Sequence, residues 1–478
     1  MRSRKHRLIL VLLAAPALCT CATNPATGER QLILIGEGRE IAMGREYDPQ
    51  IVASMGLVED PAIQTYVSQL GRRMAAASER PNLPWTFRVV DDPVVNAFAV
   101  PGGFIYITRG ILAHFDSEAQ LAAVLGHEIG HVTARHSVEQ MSRAQLAQVG
   151  LVAGAVFAPD RFQDLVGGAA VGMQVLFLKY GRDDERQADE LGFRYVRRLD
   201  YDPRPMADVY SMLDRVSQAH GGGRVPEWLS THPNPVNRRE RIQEMIDSVG
   251  GPFTNDRIAR AEYLQRLDGL VFGANPREGF FEENLFRHPD LAFEVRFPAG
   301  WRTANQRQAV AAGAPGQDAV IQLTLAELPD ADAAARAFLG QDGVTPGPTR
   351  RTTINGLPAV TGEFDAMSQG TALHGAVAFV EHGGNTYQLV GYAAATAWPS
   401  HAAAIRATFG SFDRLTDPQA LSIQPMRLDI VTLDRAMTLA EFARRYPSEV
   451  AVEELALINQ AEPSARFPAG TAVKRVVR

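Results

Sequence analysis

Apolar and polar positions follow several distinct rhythms along the chain. A basic start (Arg2, Arg4, Lys5, Arg7) precedes an unbroken apolar run over residues 8–18. Residues 38–79 carry helical spacing, with Ile63, Tyr66, Val67, Leu70 and Met74 on one face. "WTFRVVDD" (85–92) alternates as a strand does. "NAFAVPGGFIYITRGIL" (96–112) predicts a hairpin turning at Pro101-Gly102-Gly103. A helix follows, capped by Asp116 or Ser117 and with Glu118 suited to its positive end. It is expected to run through His127 and His131 to about Arg143. Residues 145–178 are apolar and glycine-rich. They predict two buried or surface-covering helices broken at Pro159-Asp160, neither long enough to span a bilayer; contact with a bilayer surface stays open. "DDERQADELGFRYVRRL" (183–199) predicts a helix stopped by Pro203 and Pro205, and "HPNPVNRRERIQEMIDS" (232–248) a turn followed by another helix.

Beyond this point the texture changes. "GGPF" (250–253) reads as a boundary, and residues 251–286 as a helical linker. From 287 to 415, strand patterns such as "LAFEVRFPAGW" and "AVIQLTLAEL" mix with the helices "DADAAARAFL" and "SHAAAIRATF", which predicts an α+β domain on an antiparallel sheet. His288, His374, His382 and His401 are scattered through it and form no catalytic cluster. Residues 424–478 have a β-α-α-β order that resembles a LysM module, a fold often used to bind cell-wall glycan. The glycine-aspartate-threonine turn of such modules is here "DRAMT", where Thr438 alone matches.

The chain has 478 residues, 46% apolar and 21% charged, which predicts globular structure in several domains. Its start reads as an export signal, the apolar run being too short for a membrane span. "LCTC" resembles the bacterial lipobox, which implies cleavage after residue 20, lipid on Cys21 and, with Ala22 next, an outer-membrane destination on the periplasmic side. Cys19 would leave with the leader, so no thiol catalysis, thiolate metal site or disulfide is expected. Loss of four positive charges moves the formal net charge from −6 to about −10, which argues against a nucleic-acid partner.

The chemistry concentrates at "HEIGH". His127 and His131 lie about 400° apart on a helix, hence on one face a turn apart, where both imidazoles can reach one metal ion. Glu128, about 100° round from His127, can stand beside a metal rather than on it, where a general base belongs. Ala122, Ala123, Gly126 and Gly130 would let another element approach closely. A zinc protease needs three protein ligands and an open position. "GRDDERQADELG" offers Glu185 and Asp189, four apart on one face: one carboxylate for the metal, the other to hold an imidazole by its second N–H. A solvated acidic face beside Arg182 and Arg186 is the competing reading.

"NAFAVPGGFIYITRGIL", "AAVLGHEIGHVTARH", "RDDERQADELG" and "STHPNPVNRRERI", in this order, resemble the bacterial gluzincin metallopeptidases of the HtpX, BepA and CAAX-protease superfamily, and more closely its secreted lipoprotein members. The resemblance covers roughly residues 24–250. It implies a mainly helical zincin-type domain over 21–250 with a small β-sheet, one Zn2+ bound by His127, His131 and Glu185, Glu128 as general base, and Asp189 as the carboxylate behind a ligand. It also implies that the strand Asn96, Ala97, Phe98 and Ala99 pairs with extended substrate. His232 would gate the metal or stabilise the transition state, with Arg238 assisting the oxyanion. His136, five residues past His131, falls off the ligand face and reads as structural or one contact removed from the metal; His114 and His220 read as surface residues. The function expected is zinc-dependent endoproteolysis of unfolded or misassembled envelope proteins, with contact to peptidoglycan through the C-terminal module. A chaperone or scaffold with a latent site, and an exopeptidase, remain alternatives. Well-known relatives carry tetratricopeptide repeats after the protease domain, and this chain does not, so partner choice does not transfer.

Overall fold

In the computed structural model, the helical rhythm of 38–79 is carried by two helices, α1 (Glu37–Met55) and α2 (Pro61–Ala76). Gly56, at φ 72°, ends the first. Asp60 starts the second, its carboxylate accepting from the Ala62 and Ile63 N–H groups while Pro61 occupies the first turn. The structure describes residues 21–145, 180–219, 228, 232, 235–254, 256–368 and 370–478. Residues 1–20, where an export leader is expected, and the helices expected around Pro159-Asp160 lie outside the described residues.

The chain enters as a small hairpin of β1 (Cys21–Thr23) and β2 (Arg30–Leu32). After α2 come β3 (Thr86–Val90), β4 (Ala97–Val100) and β5 (Phe104–Thr108), in the spatial order β3-β5-β4. β4 and β5 form the expected antiparallel hairpin, with Ala97 opposite Ile107 and Val100 opposite Phe104. Its turn needs glycine. Gly102 has φ 88°, and a Cβ there would stand 2.7 Å from the Cα of Ile41. β4 is left at the sheet edge.

A short helix α3 (Arg109–His114) leads to α4 (Glu118–Ala134), capped by Ser117, whose hydroxyl accepts from the Gln120 N–H. Every residue of α4 is buried, so it is the central helix of its unit. α6 (Arg182–Arg198) crosses it at close range. A Cβ on Gly130 would lie 2.9 Å from the Ala188 carbonyl oxygen, and one on Gly192 2.9 Å from the His127 nitrogen. Gly130 of "HEIGH" and Gly192 of the facing helix thus let the helix that carries the carboxylates approach.

The expected single helix to Arg143 is broken. Arg135 takes φ 62° and caps α4, and a new helix α5 begins at 136 and is described to 145. Arg135 holds this left-handed conformation against its usual cost through bonds to Glu40 Oε2 (3.0 Å) and the Ile35 carbonyl (2.8 Å). α7 (Arg204–Ala219), α8 (Pro235–Val249) and α9 (Arg260–Leu267) complete the helical layer.

The molecule divides into two compact units: one joins the chain up to Gly273 with Met426–Arg478, the other is Ala274–Pro425. This differs from the expected boundaries. Residues 251–273 and 426–478 both belong to the first unit, where Tyr263, Leu264 and Leu267 share one apolar core with Leu428, Leu455, Ile458 and Val476. Within 426–478 the strands Arg427–Thr432 and Ala472–Val477 pair antiparallel, and the helices Leu439–Arg445 and Val452–Ile458 lie between them in sequence. The other unit is built on a seven-stranded antiparallel sheet, in the spatial order 344–354, 357–368, 371–382, 385–394, 319–325, 309–313, 302–306. Helix Ala331–Leu339 packs with Val377 and Phe379, and helix Trp398–Gly410 with Ala376 and Ala378. The alternation puts the two helices on opposite faces.

Candidate metal centre

α4 presents His127 and His131, α6 presents Glu185, and His232 arrives just before α8. All four are buried, and each has a ligand atom within 4.8 Å of the others. His127 Nε2 lies 3.0 Å from His131 Nε2 and 3.3 Å from His232 Nδ1. Glu185 Oε1 is 2.8 Å from His232 Nδ1 and 3.6 Å from His131 Nε2, and its Oε2 is 3.7 Å from His127 Nε2. A tetrahedral zinc with ligands at 2.0–2.1 Å separates them by about 3.3 Å. The observed spacings bracket that value, and the donors are three imidazoles and a carboxylate, so the residues fit zinc.

Electrostatics favour the ligand forms of the three histidines. Burial, with the Arg238 guanidinium adding to it, pushes His127 down to about 4. Burial and neighbouring imidazoles hold His131 well below its ordinary value, and burial with Arg238 does the same to His232. All three rings are therefore neutral near pH 7, as metal ligation requires. Burial raises Glu185 to about 7 against the opposing pull of Arg238. Burial also pushes Glu128 well above the carboxylate range. Glu128 Oε1 accepts from the Trp228 indole N–H at 3.3 Å and lies 3.7 Å from His232 Nε2, while its Oε2 is buried without a hydrogen-bond partner among the described residues.

Asp189 Oδ1 is 3.0 Å from His127 Nδ1, which leaves the other ring nitrogen to the cluster. Burial opposes the charge of Asp189, but Arg238 and His127 outweigh it and hold the carboxyl well below its usual range. Arg238 donates to both Asp189 oxygens (2.9 and 2.5 Å), and its Nη1 lies 2.5 Å from Glu185 Oε2. Its guanidinium stands over the rings of Tyr210 and Trp228, at 4.7 and 5.0 Å. Arg238 is thus packed behind the carboxylates.

Several residues of the site were not singled out in the sequence. Tyr210, on α7, donates to Asp189 Oδ1 at 2.6 Å. Tyr180 stacks on His131 (3.9 Å between ring centres) and Trp228 on His232 (4.7 Å). An aromatic residue just before an acidic helix was the available hint for Tyr180; nothing local pointed to Tyr210. His136 reaches His131 because the break at Arg135 turns it back; on a continuous helix it would lie about 140° away. His114, expected on the surface, is buried with Nδ1 on the Gly110 carbonyl; His220 lies outside the described residues.

A buried His-Glu-x-x-His helix with a glutamate on a crossing helix defines a gluzincin-type zinc metallopeptidase site. Comparison with known proteins agrees: residues 61–246 match the model of Peptidase family M48. The chain is 30% identical over 282 residues to the beta-barrel assembly-enhancing protease of Escherichia coli (strain K12), covering 55% of this chain and 58% of that protein. It is 32% identical over 218 residues to the protein of that name in Yersinia pestis, covering 43% and 44%. It is 31% identical over 219 residues to the mitochondrial metalloendopeptidase OMA1 of Arabidopsis thaliana, covering 45% and 41%. The chain thus spans about half the length of the curated relatives it matches.

Proposed function

We propose that the protein is a zinc endopeptidase of the bacterial cell envelope that cleaves extended or misassembled envelope proteins. The observation that carries this reading is Glu128, buried on the same helix as two ligand histidines with a carboxylate oxygen unpartnered among the described residues. Bound zinc would polarise the scissile carbonyl and acidify water towards a pKa of ~7. Glu128 takes the water proton and delivers it to the leaving amine nitrogen as the C–N bond breaks. Asp189 and Arg238 keep His127 and Glu185 in place. The edge formed by Asn96 and the β4 residues Ala97 to Ala99 receives the substrate as an added strand, so compact folded proteins are poor substrates. The buried Asn96 Oδ1, without a hydrogen-bond partner among the described residues, supports a substrate N–H being bound there.

His232 acts as a gate in this reading. His127, His131 and Glu185 would hold the zinc with His232 beside them, so His232 would have to withdraw to leave an open position for a substrate carbonyl. The same closure supports a second reading, a chaperone or scaffold whose site is latent. The name borne by several relatives, beta-barrel assembly-enhancing protease, supports an envelope role. Lipid on Cys21 would hold the enzyme at the outer membrane, facing the periplasm. No described helix is long and apolar enough to cross a membrane. Contact between the C-terminal module and peptidoglycan remains part of the proposal.

The test is bound zinc and cleavage of unfolded casein by the wild type, Glu128→Gln and His232→Ala. The protease reading expects about one zinc per chain in wild type and Glu128→Gln, cleavage lost in Glu128→Gln, and cleavage faster than wild type in His232→Ala. Zinc without cleavage in the wild type and in His232→Ala would leave the latent scaffold.

A further inference from the structure

His127 is oriented by a carboxylate, but His131 is not. Its Nδ1 lies 2.8 Å from Nδ1 of a second histidine, His136. The other His136 nitrogen, Nε2, lies 2.9 Å from Gln187 Oε1, and the same oxygen accepts from Asn24 Nδ2 at 3.0 Å. His136 and Asn24 are both fully buried, at 2% and 1% exposure. Asp184, the nearest carboxylate, stands 3.9 Å from His136 Nε2, too far to hydrogen-bond.

The donor and acceptor roles along this chain are determined. Asn24 Oδ1 accepts from the backbone N–H groups of Ala26 (2.8 Å) and Thr27 (3.3 Å), so its other amide atom, the donor nitrogen, faces Gln187. Gln187 therefore presents its oxygen. An oxygen there requires the His136 proton on Nε2, which leaves Nδ1 as an acceptor. His131 must then donate through Nδ1, and its Nε2 keeps a lone pair directed into the ligand cluster. The polarity runs from two backbone N–H groups near the start of the chain to a metal ligand.

Resting on the metal-site reading above, we propose that His136, Gln187 and Asn24 are positioning residues that lock His131 in its metal-binding tautomer. The lock joins the β1–β2 hairpin, α5 and α6 to the metal. The left-handed turn at Arg135 is the feature of the backbone that brings His136 into it.

The test is Co2+ affinity of the metal-free purified protein, read from the visible d–d absorption, with Zn2+ affinity by competition. Asparagine at 136 places an amide oxygen the same number of bonds from Cα as Nδ1, and it has no tautomer to set. His136→Asn is expected to bind within about threefold of wild type, and His136→Leu about 10–100-fold more weakly. Gln187→Met is expected to weaken binding about tenfold in the wild-type background and not at all when combined with His136→Asn. Equal loss from Gln187→Met in both backgrounds would mean that Gln187 only packs, and no loss in either would also overturn the lock. Circular dichroism of the metal-free variants checks folding; if His136→Leu fails to fold, the Gln187 pair decides. A wild type that binds no Co2+ would instead overturn the metal-site reading and the lock with it.

Discussion

At the scale of single residues, what could be read in the sequence was the chemistry that helical periodicity fixes. The spacing of His127 and His131 and that of Glu185 and Asp189 each fall within one helix, so their shared faces follow from 3.6 residues per turn. Spacing alone does not say which of Glu185 and Asp189 stands behind an imidazole; the resemblance implies Asp189, and the docked helices put it 3.0 Å from His127, whereas the stack of Tyr180 on His131 and the bond from Tyr210 had no such signal. Spacing puts His136 off the ligand face, in keeping with its place one contact behind His131; the contact itself depends on the break at Arg135. The Asp189 arrangement gives a direct prediction. Asp189→Asn keeps the shape but removes the charge that orders His127 and neutralises Arg238. Zinc affinity should fall about 10–100-fold, measured by competition with a chromophoric chelator. The metal-free protein should also unfold earlier, because Arg238 loses a buried partner. Unchanged affinity would show that Asp189 does not hold the ligand.

At the scale of elements, the β4–β5 hairpin was legible because Pro101-Gly102-Gly103 is strong turn chemistry between β-rich runs. The close approach of a second helix to "HEIGH" was legible from Gly126 and Gly130. The break at Arg135 was not, because arginine carries no local signal for a left-handed cap; Glu40, far away in sequence, stabilises it. The two kinds of glycine can be separated by experiment. Gly130→Ala drives a methyl against the Ala188 carbonyl, and neither backbone can move without shifting a metal ligand. A loss of about 1–3 kcal/mol is expected from thermal or urea unfolding. Gly38, in the first turn of α1, has open space around the same methyl. Gly38→Ala should raise stability by up to about 1 kcal/mol. Equal effects at the two positions would contradict the packing of α4 on α6.

At the scale of the whole molecule, the local order of the last fifty residues was readable but their docking was not. "GGPF" marks a turn, and a turn says nothing about whether the following apolar side chains return to the same core. Tyr263, Leu264 and Leu267 do return, and residues 426–478 join them. Lys474 makes this docking measurable. Its ammonium is fully buried, bonded to the carbonyls of Phe115 (2.8 Å) and Ala113 (3.1 Å), with Asp116 Oδ1 at 3.8 Å. Burial lowers its pKa from 10.5 to about 8, with Asp116 opposing. Below pH 8 the lysine is charged in both folded and unfolded chains, and the fold bears the cost of burying that charge. Between pH 8 and 10.5 the unfolded chain holds the proton and the native chain does not, so stability rises with pH, by about 1.4 kcal/mol per unit. The rise ends above 10.5, where both states have lost it. Lys474→Met lacks this titration. Urea unfolding at several pH values, followed by the fluorescence of Trp85 and Trp228 in this unit, should therefore show the wild type gaining roughly 3 kcal/mol on Lys474→Met between pH 8 and 10.5. Parallel curves would mean that Lys474 is solvated, and that the C-terminal segment is not docked on residues 113–116, just ahead of α4.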